Sequence, residues 1–551
     1  MARLLVWGWY AVVVCCILAC FWVWCVAYSE ALEKIIQLTG SSTKRTQIST
    51  QIFTPSRHLL IRYALSFIAF LGMLSLWRVR RVARFLVDCA VVFRTFCVLV
   101  LRRVQASSRT LPAYRRHISL LIFGIGLLPI FWRIWVYEVW LDEVFSYVFL
   151  VKRGFFVSLA YYPGPNNHVF FMVVASLLNP LAEICYIPIP MMRLLAFGGV
   201  LGTSVLLYGW LLVRKGWTVA SVCVFIFLMQ SPVQFYGYLA RGYAWEMFFF
   251  LVLWMSLWEW KRHPRTLYIG IASLSAVAGF YTLPTFLYAY LPLLLAVFYP
   301  LSQPIKRYYG LLFAQFFVFL GVMSLYAPII LLNGIGAFAG NAWLQVGKDL
   351  FWQDLLSGQY GADVVGFWGL EMPYWGFWIV CVGSLGLWWK TSKDMRVWLF
   401  LAFLLPVVLL LYQQVLPPVR VWSYLSVAIA LFFANRKRTA KAFALILSIV
   451  FVINWQFFPK IPAHSLVAKQ VLASKVQHIF ANEDTYQMFI RYEYAKQNTP
   501  LDIQVICSNP PPMPYETVLL ARKQKTPACI ALQEYKQVFE NEEIVFFQRK
   551  K

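Results

Sequence analysis

Apolar runs of about twenty residues recur along the chain, separated by short polar stretches in which the basic residues gather. A helix of that length crosses a hydrocarbon core of roughly 30 Å. Read as helices, the runs predict spans near 4–27, 58–77, 117–137, 191–213, 217–234, 244–260, 266–282, 284–300, 309–331, 373–389, 397–413, 419–434 and 442–458, which makes thirteen crossings. Two further apolar stretches fit a surface position better. Residues 82–103 carry Arg84, Asp88 and Arg94 between basic flanks, as a helix in the cytoplasmic interface would. Residues 168–182 are short, and counting them as a span would put Arg214 and Lys215 outside.

The pattern changes after 458. LDIQVIC, ETVLLA, ACIALQ and EIVFFQ read as short strands, and EDTYQMFIRYEYAKQN reads as a helix ahead of them. The fold expected is an all-α polytopic membrane protein with a small C-terminal extracytoplasmic α/β domain. Residues 1–116 form a two-span extension with the interfacial helix, 117–458 the main transmembrane domain, and 459–551 the tail domain.

Composition agrees with burial in lipid. Hydrophobic residues make up 61% of the 551 positions and charged residues 13%, half the soluble norm of about 25%. The formal charge of +26 raises nucleic acid as a partner, but position argues against it. The basic residues cluster at Arg78 to Arg84, Arg102 to Arg116, Arg214-Lys215, Lys261 to Arg265, Lys306-Arg307, Lys390 to Arg396 and Arg436 to Lys441, in loops between spans. That is the positive-inside pattern of cytoplasmic loops. It sets the N-terminus inside, the C-terminus outside, and residues 138–190, 332–372 and 459–551 as outer segments. No Cys/His spacing suggests zinc, and Cys507 and Cys529 fall in strand-like runs where a bridge between neighbouring strands is one alternative and plain burial the other.

The outer ends of the spans carry the candidate chemistry. Asp142 and Glu143 stand side by side just past the third span. A carboxylate pair there is costly and calls for a reason, either as a cap on the following helix or as a functional pair. Downstream come YYPGPNNHVFF with Asn167 and His168, MMRLLAF with Arg193 and Leu194, YGYLARGYAWEMFF with Arg241 and Tyr243, FYTLPTFLY, and LPPVRVWSYL with Arg420.

In that order, these segments resemble the membrane glycosyltransferases of the GT-C superfamily that use polyprenyl-phosphate donors, among them the protein O-mannosyltransferases and the aminoarabinose transferase of lipid A. The likeness covers roughly residues 117–460. The first two spans and the interfacial helix are additions to that pattern, and His168 lacks the following Pro pair. The acidic residue some members carry after the Arg-x-Tyr region is not obvious, although Glu246 lies one turn inward.

The resemblance implies sugar transfer from a polyprenyl-phosphate-linked donor to a glycan, lipid or protein acceptor on the outer face. Such a reaction needs a base for the acceptor's proton, and Asp142 is the candidate. Glu143 would be a second carboxylate, an orienting group or a metal partner. Arg241 and Arg420 are the candidate phosphate binders. Asn167, His168, Arg193 and Tyr243 complete the expected substrate-binding set. The sequence assigns no cofactor, though Glu143 and His168 could hold a divalent metal ion. His168 could equally be an ordinary hydrogen-bonded loop histidine, Arg193 an interfacial snorkeler, and Tyr161, Tyr162, Tyr238 and Tyr243 members of an aromatic belt. The rival class is a transporter or glycolipid flippase. A transporter would carry its polar groups at mid-membrane, whereas the charges here sit at the outer rim.

Overall fold

The computed structural model of the chain describes residues 2–39, 53–76, 111–162, 167–299, 308–334, 351–368, 393–434, 463–497, 499–504, 515–522, 532–540 and 543–550, with a few single residues between them. The described chain is mostly helical, and a small sheet closes the C-terminal end.

Helices stand at every expected span that falls within the described residues; 373–389 lies outside them, as does nearly all of 442–458 and of the interfacial stretch 82–103. Among the described residues, four helices are long and apolar enough to cross a membrane: Ala113–Val136, Pro188–Lys215, Tyr309–Asn333 and Arg396–Gln413. The first helix, Ala2–Cys25, is followed across a 114° bend by the amphipathic Tyr28–Thr39, whose Leu32 and Ile36 bury against Phe53.

Large side chains on the long helices point outward. Leu120, Leu121, Leu128, Trp132 and Trp135 on one helix, and Phe313, Phe316 and Phe319 on another, are all exposed. Such an apolar exterior is unfavourable in water and natural against lipid.

Not every expected span is a full-length helix. Trp217–Met229 has 13 residues, about 20 Å of rise against the roughly 30 Å needed. The helix breaks at Gln230, and the chain continues as Ser231–Tyr236 with Pro232 in its first turn. A break inside an apolar core frees carbonyls, and two buried glutamines take them up. Gln230 Nε2 donates to Ile226 O and Ser426 O, and Gln234 Nε2 to Gly126 O and Leu228 O. Amide side chains thereby replace the missing helical bonds.

The helix boundaries follow local chemistry. Pro188 opens Pro188–Lys215, and Gly216 ends it at φ +83°, a conformation that favours glycine. Tyr243–Arg262 carries Lys261 and Arg262 in its last turn, favourable to the helix dipole. These two helices cross closely. A Cβ placed on Gly199 would lie 2.8 Å from the Ala244 carbonyl carbon, so only glycine admits the approach.

The tail is an α/β unit. β1 (His478–Ala481), β2 (Asp502–Gln504), β3 (Thr517–Ala521), β4 (Tyr535–Glu540) and β5 (Ile544–Arg549) form one sheet in the order β2-β1-β3-β5-β4. β2, β1 and β3 are parallel, and β5 and β4 are antiparallel. β3 is buried at all five positions and is the sheet's centre. The helix expected ahead of the strands is Asp484–Lys496, and Ala463–Ala473 packs beside it. ACIALQ does not extend as a strand where it is described, because Leu532–Glu534 forms a 3-10 turn. Cys507 and Cys529 lie outside the described residues.

One hydrophobic cluster unites the two parts. It runs from Ile130, Val144 and Tyr147 through the transmembrane helices to Val467, Phe489, Ile490 and Tyr492 of the tail, and on to Ile479 and Ile544 in the sheet.

Candidate functional site

The helix Ala113–Val136 ends at Tyr137, and the chain runs extended to Trp140 before turning into the short helix Leu141–Ser146. Glu143 starts that helix by reaching back: its Oε2 accepts from the Trp140 N–H at 2.9 Å. This is half of a capping box, so the cap reading is correct for Glu143.

Glu143 is completely buried and has no spare valence. Oε1 accepts from Arg193 Nε at 2.9 Å and from the Ala240 N–H at 2.7 Å, while Oε2 also accepts from Arg193 Nη2 at 2.7 Å. Arg193, only 1% exposed, spends its other N–H groups on carbonyls. Nη1 donates to Ile134 O and Tyr137 O, and Nη2 to Glu138 O. The guanidinium therefore caps the C-terminal end of the preceding helix and pairs with Glu143 at once. Neither residue is available to a substrate. The expected roles of Glu143 as a catalytic or metal-binding carboxylate and of Arg193 as a substrate ligand are corrected: together they are a buried strut, and the snorkeling alternative for Arg193 fails for the same reason.

Asp142, the neighbour, is differently placed. Its side chain is 35% exposed and lies between two guanidinium groups, with Arg241 Nη2 at 3.5 Å and Arg420 Nη1 at 3.8 Å from Oδ2. Arg241 is buried and also donates from Nη1 to Ser146 Oγ at 3.2 Å. Arg420 is 40% exposed and sits on the 3-10 turn Val419–Trp422. Asp142, Arg241 and Arg420 thus lie together in the structure. Among the described residues, two guanidinium groups face the one carboxylate of Asp142, a cationic and partly open arrangement that suits an anion.

Each arginine stands on a turn held by a buried acidic side chain. Glu143 grips Ala240, the residue before Arg241. Glu246 accepts from Ser423 Oγ at 3.0 Å, three residues after Arg420. Ser423 and Ser146 were not in the expected set. Glu246 was legible as an acid in the first turn of an apolar helix, a costly placement.

His168 is fully buried beside this cluster. Its ring packs edge-on to Tyr243 at 4.6 Å between centroids, and neither ring nitrogen has a hydrogen-bond partner among the described residues. Burial first, and then the charges of Arg241 and Arg420, hold its pKa well below the usual 6.5, so the imidazole is neutral. Asn167 Nδ2 donates to Tyr161 O at 3.0 Å, tying the two ends of the intervening loop. Tyr243 is buried between His168 and Tyr236 and contributes packing, not an exposed stacking face. Tyr161, Tyr162 and Tyr238 are buried likewise, so they do not belong to an exposed belt.

The residues do not fit a divalent metal. Glu143 is saturated by N–H donors, His168 faces two arginines, and among the described residues no three His, Cys, Asp or Glu side chains gather as a metal site requires.

No protein-family model matches the sequence, and no curated protein does. The site must therefore speak through its own chemistry.

Proposed function

We propose that the chain is an integral-membrane glycosyltransferase that moves a sugar from a polyprenyl-phosphate donor to an acceptor hydroxyl on the outer face of a membrane. The observation that carries this reading is Asp142, a partly exposed carboxylate within 4 Å of two arginines drawn from positions 241 and 420. The proposed topology has thirteen crossings, with the tail domain on the same side as Asp142.

In the proposed reaction the acceptor oxygen attacks the anomeric carbon of the donor sugar. That C–O bond forms as the bond from the anomeric carbon to the phosphate oxygen breaks. Asp142 takes the acceptor's proton, and the released lipid phosphate keeps the bonding electron pair. Arg241 and Arg420 stabilise the phosphate's growing negative charge through charge-assisted hydrogen bonds. Arg241, buried and tethered to Ser146, supplies a fixed donor set; Arg420, more exposed, can reorient as the donor enters.

The test is transfer of label from a polyprenyl-phosphate sugar to an acceptor in purified protein, comparing wild type with Asp142→Asn. A positioned base contributes about 10²–10⁴ in rate, and a loss of that size is expected. Movement of the lipid-linked sugar between leaflets without any transfer would establish the flippase alternative instead.

A further inference from the structure

The segment that carries Asp142 is held from the outside by the tail domain at three points, on both sides of the acid. Before it, Glu138 accepts from Ser465 Oγ at 3.1 Å and from Lys469 Nζ at 3.3 Å, both on the helix Ala463–Ala473. After it, the buried Tyr147 ring meets Tyr492 edge-on at 5.9 Å between centroids. Beyond that, Lys152 Nζ donates to Ala495 O in the last turn of Asp484–Lys496.

Each contact has a physical reason. The last carbonyls of a helix have no partners within it and carry the negative end of its dipole, so an ammonium group is favoured there. Tyr147 and Tyr492 are 0% and 5% exposed, which makes the aromatic contact desolvated and part of the common core. Glu138 has a second tie inward, because its backbone carbonyl accepts from Arg193 Nη2. The tail thus meets the same short stretch of chain that the Glu143–Arg193 strut holds from within.

We infer that the C-terminal domain is a positioning clamp for Asp142, fixing residues 138–152 between itself and the Glu143–Arg193 strut. It acts through Ser465, Lys469, Tyr492 and the Ala495 carbonyl. This inference rests on the transferase reading for its effect on rate, but not for its effect on the segment's order. The clamp's contacts fall on Glu138, Tyr147 and Lys152, on the segment that carries the base. Loosening it therefore acts first on the placement of Asp142.

The experiment compares wild type with Tyr492→Ala, Lys152→Met and Tyr492→Phe in lipid nanodiscs. Hydrogen exchange is followed in peptides covering 138–152, and transfer kinetics are measured alongside. Arg522→Ala, on the exposed surface of the same domain, serves as control. In Tyr492→Ala and Lys152→Met, exchange in 138–152 should quicken at least tenfold while the tail's strands keep their protection. The kcat should fall about tenfold with little change in donor KM. Tyr492→Phe, which keeps the ring, and Arg522→Ala should match wild type. Unchanged protection of 138–152 in Tyr492→Ala and Lys152→Met overturns the clamp, as does lost protection with unchanged kcat. A wild-type protein without transfer activity sinks the enzyme reading, and the exchange result then decides the clamp by itself.

Discussion

Asp142 and Glu143 are adjacent in sequence, yet changing each to its amide should have very different consequences for folding. The oxygens of Glu143 accept from Arg193 Nε, Arg193 Nη2, Ala240 N and Trp140 N, all of them donors. In Glu143→Gln one oxygen becomes an NH2 group, and in either orientation it confronts two N–H groups. The substitution also strips Arg193 of its counter-charge in a site where both partners are buried. Removing one member of a buried pair costs about 3–5 kcal/mol. The three carbonyls that Arg193 retains argue for the lower end, near 3 kcal/mol. Asp142→Asn removes charge from a side chain that is 35% exposed, where ion pairs contribute about 1 kcal/mol or less. Reversible unfolding in mixed micelles should therefore place Glu143→Gln about 3 kcal/mol below wild type and Asp142→Asn within about 1 kcal/mol. Both should lose transfer activity, one through the fold and one through the chemistry. In Glu143→Gln with Arg193→Met the losses should be well short of additive, because no buried charge is then left unpaired. A Glu143→Gln protein as stable as wild type but inactive would refute the strut and return Glu143 to the chemistry.

Arg241→Lys and Arg420→Lys should each raise the donor KM and lower kcat/KM by roughly 10- to 100-fold, since an ammonium cannot reproduce bidentate contact with a phosphate; steady-state kinetics with varied donor measures this. Gly242→Ala would bring a Cβ to 2.8 Å from Thr282 Cγ2 and 3.0 Å from His168 Nδ1, so it should cost about 1–3 kcal/mol of stability, read in the same micelle unfolding, and displace the turn bearing Arg241. His168 gives a pH signature. Its folded pKa lies below the unfolded 6.5, so the unfolded chain binds more protons over that interval. Stability should fall as pH drops below about 6.5, with a slope of at most about 1.4 kcal/mol per pH unit from this group. His168→Phe should flatten that slope, and an unchanged pH profile would show that His168 is not the group responsible.

Much of this was readable because charge is scarce in lipid. Asp142, Arg241 and Arg420 each interrupt or border an apolar run, so their cost marked them, and they meet in space. The division of labour between Asp142 and Glu143 was not readable. It depends on which of two adjacent side chains turns inward, and that is decided by Arg193, fifty positions away. Helix lengths were legible only as apolar runs; the break at Gln230 is hidden because its glutamine amides restore the lost carbonyl bonds. In the tail, ETVLLA and EIVFFQ announced β3 and β5 by their apolar content. β1 has only four residues, and β4, YKQVFE, is an exposed edge strand with too few apolar positions to stand out. ACIALQ misled for the opposite reason, being apolar where the described chain turns.

The hydrophobic cluster shared by the helices and the sheet has a consequence for how the protein is made. Synthesis runs from the N-terminus, so Val144 and Tyr147 are inserted long before Phe489, Ile490 and Tyr492 exist to cover them. Throughout that interval the nascent protein presents an apolar surface that Val467, Phe489, Ile490 and Tyr492 later cover. A message truncated near codon 458 would yield a chain with its membrane helices present and its core still open, the kind of surface that chaperones and proteases recognise.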